Sequence, residues 1–168
     1  DYVEKQSEMA ARKGERGRLL GFTLALLQRR LASSSRAIRR SLERRHKRLT
    51  TLQEHLEDLE QQRVEMPEDF EDLPEEERSE IESRLEKFTV AENRQELQWE
   101  CRELEKLIEL AKKVEKTEEE TKLQKLRELL TEQGIFASGT KLLIFTEHKD
   151  TLDYLIEKLV KWGFKVTQ

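Results

Sequence analysis

Apolar residues recur at helical spacing along most of this chain, and only near the carboxyl end does the pattern change. Residues 1–16 hold few apolar anchors and include Gly14, with Gly17 just beyond, which predicts a loose, fraying lead-in. From Arg18 to Ala32, Leu19, Leu20, Phe22, Leu24, Leu26, Leu27 and Leu31 cover most of a helix circumference. Such a helix is expected to be buried against more than one neighbour. Ser33, Ser34 and Ser35 then compete for backbone donors, as helix caps do, so a second helix is expected to start there. Its Ile38, Leu42, Leu49, Leu52, Leu56 and Leu59 follow heptad spacing. Arg45 occupies a seam position, which favours a long antiparallel hairpin over an autonomous parallel coiled coil.

Pro67 and Pro74 bracket the acidic sequence EDFEDL and mark the turn of that hairpin. Helix is expected to resume over 75–116, where Ile81, Leu85, Phe88, Val90, Leu97, Cys101, Leu104, Ile108 and Ala111 give an apolar stripe that shifts phase once. Thr117 and Glu120 have capping-box spacing and predict another helix. Leu123, Leu126, Leu129 and Leu130 form its apolar face, and Gly134 ends it. The run KLLIFT at 141–146 then reads as a strand, Leu152, Leu155, Ile156 and Leu159 as a helix ending at Gly163, and FKVTQ as a second strand. A right-handed crossover makes these strands parallel, and two parallel strands alone read as the first unit of a sheet whose remainder is absent. The expected fold is therefore mainly α: a helical region with a long antiparallel hairpin over 1–134, then an incomplete β-α-β unit over 135–168.

Composition sharpens this picture. Charged residues make up 40% of the 168 positions and apolar ones 35%, which suits long thin helices better than a thick core. No stretch approaches the roughly 20 apolar residues of a membrane span, the first residues are charged, and a single cysteine forms no internal disulfide. A soluble cytoplasmic protein is expected. The net charge of −4 excludes an all-over basic nucleic-acid binder. Its distribution is uneven: residues 1–48 hold 14 Lys/Arg against 5 Asp/Glu, whereas residues 49–110 hold 7 against 21. A basic strip of this kind either follows a phosphate backbone or lies against an acidic helix, and the charge count leaves both open.

Catalytic chemistry finds little support. No phosphate-cradling glycine loop occurs. His46, His55 and His148 lack convergent metal-ligand spacing and read as surface residues. Cys101 sits in the apolar seam as a small packing group. The carboxylates read as solvated helix faces, and Trp99 and Trp162 as packing or cap residues. The loop Glu147–Asp150 differs, because it joins the end of an expected strand to the start of a helix, where free amides attract phosphate. Thr146, His148, Lys149 and Thr151 lie there, so a backbone-phosphate contact stands beside the plainer reading in which Asp150 only caps the helix.

Two stretches carry a resemblance. ALLQRRLASSSRAIRRSLERR at 25–45 resembles the region after the first motor lobe of bacterial Swi/Snf-type, RapA-like helicases of superfamily two. KLQKLRELL at 122–130, with KLLIFTEHKDTLDYLIEKLVKWGFKV at 141–166, resembles the beginning of their second RecA-like lobe, KLLIFTE matching helicase motif IV. The resemblance covers about 65 residues and implies an interlobe helical insertion followed by the start of lobe two, belonging to a parent that binds ATP and magnesium and hydrolyses ATP. The segment itself has no ATP-hydrolysing motif and implies no cofactor of its own. Implied partners are the remaining motor lobes and nucleic acid, DNA rather than RNA. Arg29, Arg30, Arg36, Arg39 and Arg40 would follow phosphates or dock on the other lobe. Thr146, His148 and Lys149, with Glu147, would face nucleic acid. The expected strands would also leave edges open to self-association. The alternative reading is a helical-hairpin module that binds protein and has no nucleic-acid role.

Overall fold

The computed structural model describes residues 2–54, 67, 70–89, 91–117, 120–135 and 141–167, and among these the protein is mainly α-helical. Helix α1 (Tyr2–Ala11) turns at Gly14, whose φ of 55° suits glycine, into α2 (Gly14–Ser33). Ser34 leaves helical conformation, and its hydroxyl accepts the Ala37 N–H at 3.1 Å, so α3 (Ser35–Glu54) starts where the serine run predicts. A 3-10 turn (Phe70–Asp72) and Pro74 lead into α4 (Glu75–Leu85). Then come α5 (Arg94–Thr117), α6 (Thr121–Glu132) and α7 (Lys149–Lys161).

The core lies between α2, α3 and α5. Leu20, Leu24, Leu27, Leu42, Leu49, Leu52, Leu97 and Leu104 are buried there with Leu85 and Phe88. Arg39 meets Glu115, His46 meets Glu105 and Gln53 meets Cys101, so α3 and α5 run antiparallel. That is the expected hairpin; Leu56, Leu59 and His55 lie outside the described residues, as do Glu68 and Asp69 of the turn. Cys101 is buried as a packing group, its thiol pushed up by burial. Among the described residues no helix is long and apolar enough to cross a membrane.

Several expectations need correction. The lead-in is an ordered helix: Tyr2 and Gln6 of α1 are buried, and the Tyr2 ring stacks on Trp99 of α5. Gly17 permits the close α1–α2 approach, since a side chain there would overlap the Ala10 carbonyl oxygen. Phe22 and Leu31 are exposed rather than buried. The helix expected over 75–116 is two helices, because the chain leaves α4 at Glu86 and re-enters helix at Arg94. Asn93 Oδ1 accepts the Glu96 N–H at 3.0 Å and the Glu96 carboxylate reaches back to the Glu92 N–H at 2.9 Å. The apparent phase shift is this break; Val90 lies outside the described residues. Thr117 does not cap α6. It ends α5, with its hydroxyl donating to the Lys113 and Val114 carbonyls. Gly134 and Gly163, at φ 58° and 92°, do follow the ends of α6 and α7.

Among the described residues no strand forms, so 141–146 and 164–167 flank α7 without the expected pairing. An isolated extended segment has no neighbour for its backbone groups, and here Leu142, Leu143 and Phe145 face solvent. The expected apolar face of α7 is only half-buried at Leu152, Leu155, Ile156 and Leu159. The helix buries Thr151, Tyr154 and Lys158 instead.

Candidate nucleic-acid interface

The arginines singled out by the sequence lie along the end of α2 and the first turns of α3. Arg29 pairs with Glu147 and, at 3.8 Å, with Glu82. Arg30 lies 3.3 Å from both Glu82 and Glu86. Arg36 reaches Glu115 at 2.8 Å and Glu157 at 2.5 Å, while Arg39 reaches Glu115 at 2.6 Å and Glu43 at 2.8 Å. Arg40 is half exposed, with Glu43 at 3.9 Å. The basic strip is therefore paired to a large degree by the protein's own carboxylates, the second of the two readings that charge alone leaves open. Burial pushes Glu115 up, but Arg39 and Arg36 outweigh it and hold the carboxyl below its ordinary range. Arg36 does the same to Glu157. At Glu82 burial prevails over Arg30 and Arg29, and the carboxyl is raised.

Residues 118 positions apart meet at the α2–α3 junction. The Thr151 hydroxyl lies 2.7 Å from Ser33 Oγ and 2.8 Å from Ser34 Oγ. Together with Arg29, Thr146, Glu147 and His148 these residues line a cleft of about 510 Å³ between α2, α6 and the start of α7. Glu120 accepts from the Ser35 N–H and hydroxyl, and Lys122 donates to the Ala32 carbonyl at 2.6 Å, closing its α6 side. Lys149 is the exposed first residue of α7. Asp150 does not cap α7; it pairs with Arg44 at 3.1 Å. His148 is buried rather than on the surface, and burial, reinforced by Arg30, lowers its pKa.

Sequence reasoning passes over Arg44, Glu86 and Glu100. Arg44 shares one stripe of α3 with Arg36 and Arg40, at four-residue spacing, and that signal was available. Glu86 and Glu100 are buried carboxylates, not solvated ones. Glu86 takes Arg30 and Arg44 and accepts the Ser41 hydroxyl at 2.8 Å. Glu100 takes Arg45 at 2.5 Å inside the α3–α5 seam. His46 pairs with Glu105, and no group of three or more potential ligands among the described residues could hold a metal ion. Gly17 and Gly21 lie within α2. No known protein family, curated protein or solved structure matches the chain.

Proposed function

We propose that this chain is the helical region between the two motor lobes of a cytoplasmic ATP-driven DNA helicase or translocase. In this reading residues 141–167 are the first strand, helix and strand of a RecA-like second lobe, completed by further strands. ATP and magnesium belong to the other lobes, and the role of this region is mechanical. One observation carries the reading. The two stretches that resemble such helicases, 25–45 and 141–166, dock on each other through Ser33, Ser34 and Thr151 and through Arg29–Glu147, Arg36–Glu157 and Arg44–Asp150. A displacement of α7 with its lobe would be passed to α3, and from α3 through the seam to α5.

The test is DNA-stimulated ATP turnover by the full-length protein. Arg44→Ala with Thr151→Val, which loosens the dock, is expected to lower the stimulation and leave basal hydrolysis in place. Absence of ATP hydrolysis, or hydrolysis indifferent to DNA, would overturn the proposal. A protein-docking module with no nucleic-acid role is the second reading. It is favoured by an apolar groove of about 270 Å³ between α2, α3 and α5, where Leu31 and Leu110 are exposed. Binding of duplex or single-stranded DNA at moderate salt separates the two.

A further inference from the structure

We infer that the α3 ridge formed by Arg36, Arg40, Arg44 and Lys47 binds the phosphate backbone of duplex DNA, and that the acidic face of segment 147–157 competes with DNA for it. The inference rests on the DNA-directed reading above. The four cations are four, four and three residues apart, so they stand on one side of α3 and line a single groove of about 410 Å³ with Glu43, Asp150 and Asp153. Facing them, Asp150, Tyr154 and Glu157 are four and three apart and share one side of α7, with Glu147 just before the helix. The match is residue by residue. Glu157 takes Arg36, Asp150 takes Arg44, and the Arg36 guanidinium lies 4.8 Å from the Tyr154 ring centre. Glu147 extends the same face to Arg29 on α2.

Carboxylates occupy guanidinium forks as phosphate oxygens do, so this face presents the arginines with the chemistry of a nucleic-acid strand. The cover is partial. Arg40 and Lys47 remain exposed at the open side of the ridge, where a duplex can make first contact. The two acids that cover the ridge differ in access to exchange: the Glu157 side chain is 58% exposed and Asp150 25%. DNA arriving at Arg40 and Lys47 can then displace Asp150 and Glu157 in turn, coupling strand binding to release of α7.

The experiment compares wild-type protein with Glu147→Gln/Asp150→Asn/Glu157→Gln, measuring anisotropy of a labelled DNA duplex across a potassium chloride series. Hydrogen exchange of α7 is followed in parallel. The triple variant is expected to bind more tightly and to expose α7. Its log-affinity against log-salt slope should steepen by roughly one to two, since each phosphate contact adds about 0.9 and the two covered arginines of the ridge, Arg36 and Arg44, each lose a competing carboxylate. Arg40→Ala/Lys47→Ala, on exposed positions, should weaken binding and flatten the slope in both backgrounds. Unchanged affinity and slope in the triple variant overturn the inference, whether α7 is released or stays docked. DNA-stimulated ATP turnover with an unchanged slope sinks only the ridge. A steeper slope without any ATP turnover sinks only the motor reading.

Discussion

Arg45 is the residue on which the α3–α5 seam is keyed. Its side chain is 0% exposed, and it donates to the Tyr2 hydroxyl, to Glu100 and to the Glu86 and Phe88 carbonyls, while the second Glu100 oxygen accepts the Thr89 hydroxyl at 2.9 Å. Arg45→Met would leave Glu100 buried without its counter-charge, at a cost of about 3–5 kcal/mol. Arg45→Lys keeps the charge but not the fork that serves two carbonyls and a carboxylate, so it is expected to recover little of that loss. Urea midpoints of the two variants check this, and a lysine variant as stable as wild type would refute it. His148 supplies a pH dependence of opposite origin. Burial first, then Arg30, holds its folded pKa below the ordinary 6.5, so the folded protein takes up its proton later than the unfolded chain. Stability from this group is full above 6.5 and declines as pH falls from there to the folded pKa. Glu115 and Glu157, held below 4.5, lose theirs only in a more acidic window. The urea midpoint should therefore drop between pH 7.5 and pH 5.5 in wild type and drop less in His148→Gln; equal drops would exclude His148 as the source.

At the level of elements, two glycines of one helix make opposite predictions. Gly17→Ala drives a methyl group into the Ala10 carbonyl and must push α1 away, an overpacking cost of roughly 1–3 kcal/mol. Gly21 has nothing within 4 Å of the equivalent position, so Gly21→Ala should stabilise α2 by about 0.5–1 kcal/mol. Thermal melts read both, and loss of the Tyr2–Trp99 stack in Gly17→Ala should appear in tryptophan fluorescence. A stabilised Gly17→Ala protein would contradict the close approach. The same elements show what the sequence discloses. The start of α3 was legible because Ser34 caps through its own hydroxyl, and the ends of α6 and α7 because glycine takes a positive φ there. The Thr117 box was misleading since Thr117 is the last residue of α5 and its hydroxyl goes to the Lys113 and Val114 carbonyls, and α1 was hidden because its two fully buried residues, Tyr2 and Gln6, make no apolar stripe. The α4–α5 break escaped notice since Phe88 and Ala91 are buried across it as if helix continued. Arg45 could be marked as a seam breaker, but its partner Glu100 becomes visible only once the register of α3 on α5 is known.

For the whole molecule, the deciding feature is the contrast between a well-paired helical body and the apolar segment 141–146, which has no strand partner among the described residues. Leu143 and Phe145 are 75% and 85% exposed, Leu142 and Val160 are also largely exposed, and the apolar side of α7 is half-covered. A run of consecutive exposed apolar residues without a strand partner among the described residues is a template for association. The polar dock of α7 on α3 satisfies one side of the helix and leaves this other side open, so neighbouring copies are the available cover when the protein is alone in solution. Sedimentation velocity should accordingly show association that grows with concentration. Leu143→Lys with Phe145→Lys should abolish it by placing charge in the segment, without lowering the urea midpoint of the helical body, since neither side chain contributes to the buried core. Higher salt should not reverse the association, because burial of apolar surface rather than ion pairing drives it. A protein that stays monomeric over the whole concentration range would show that 141–146 and α7 cover one another within a single chain.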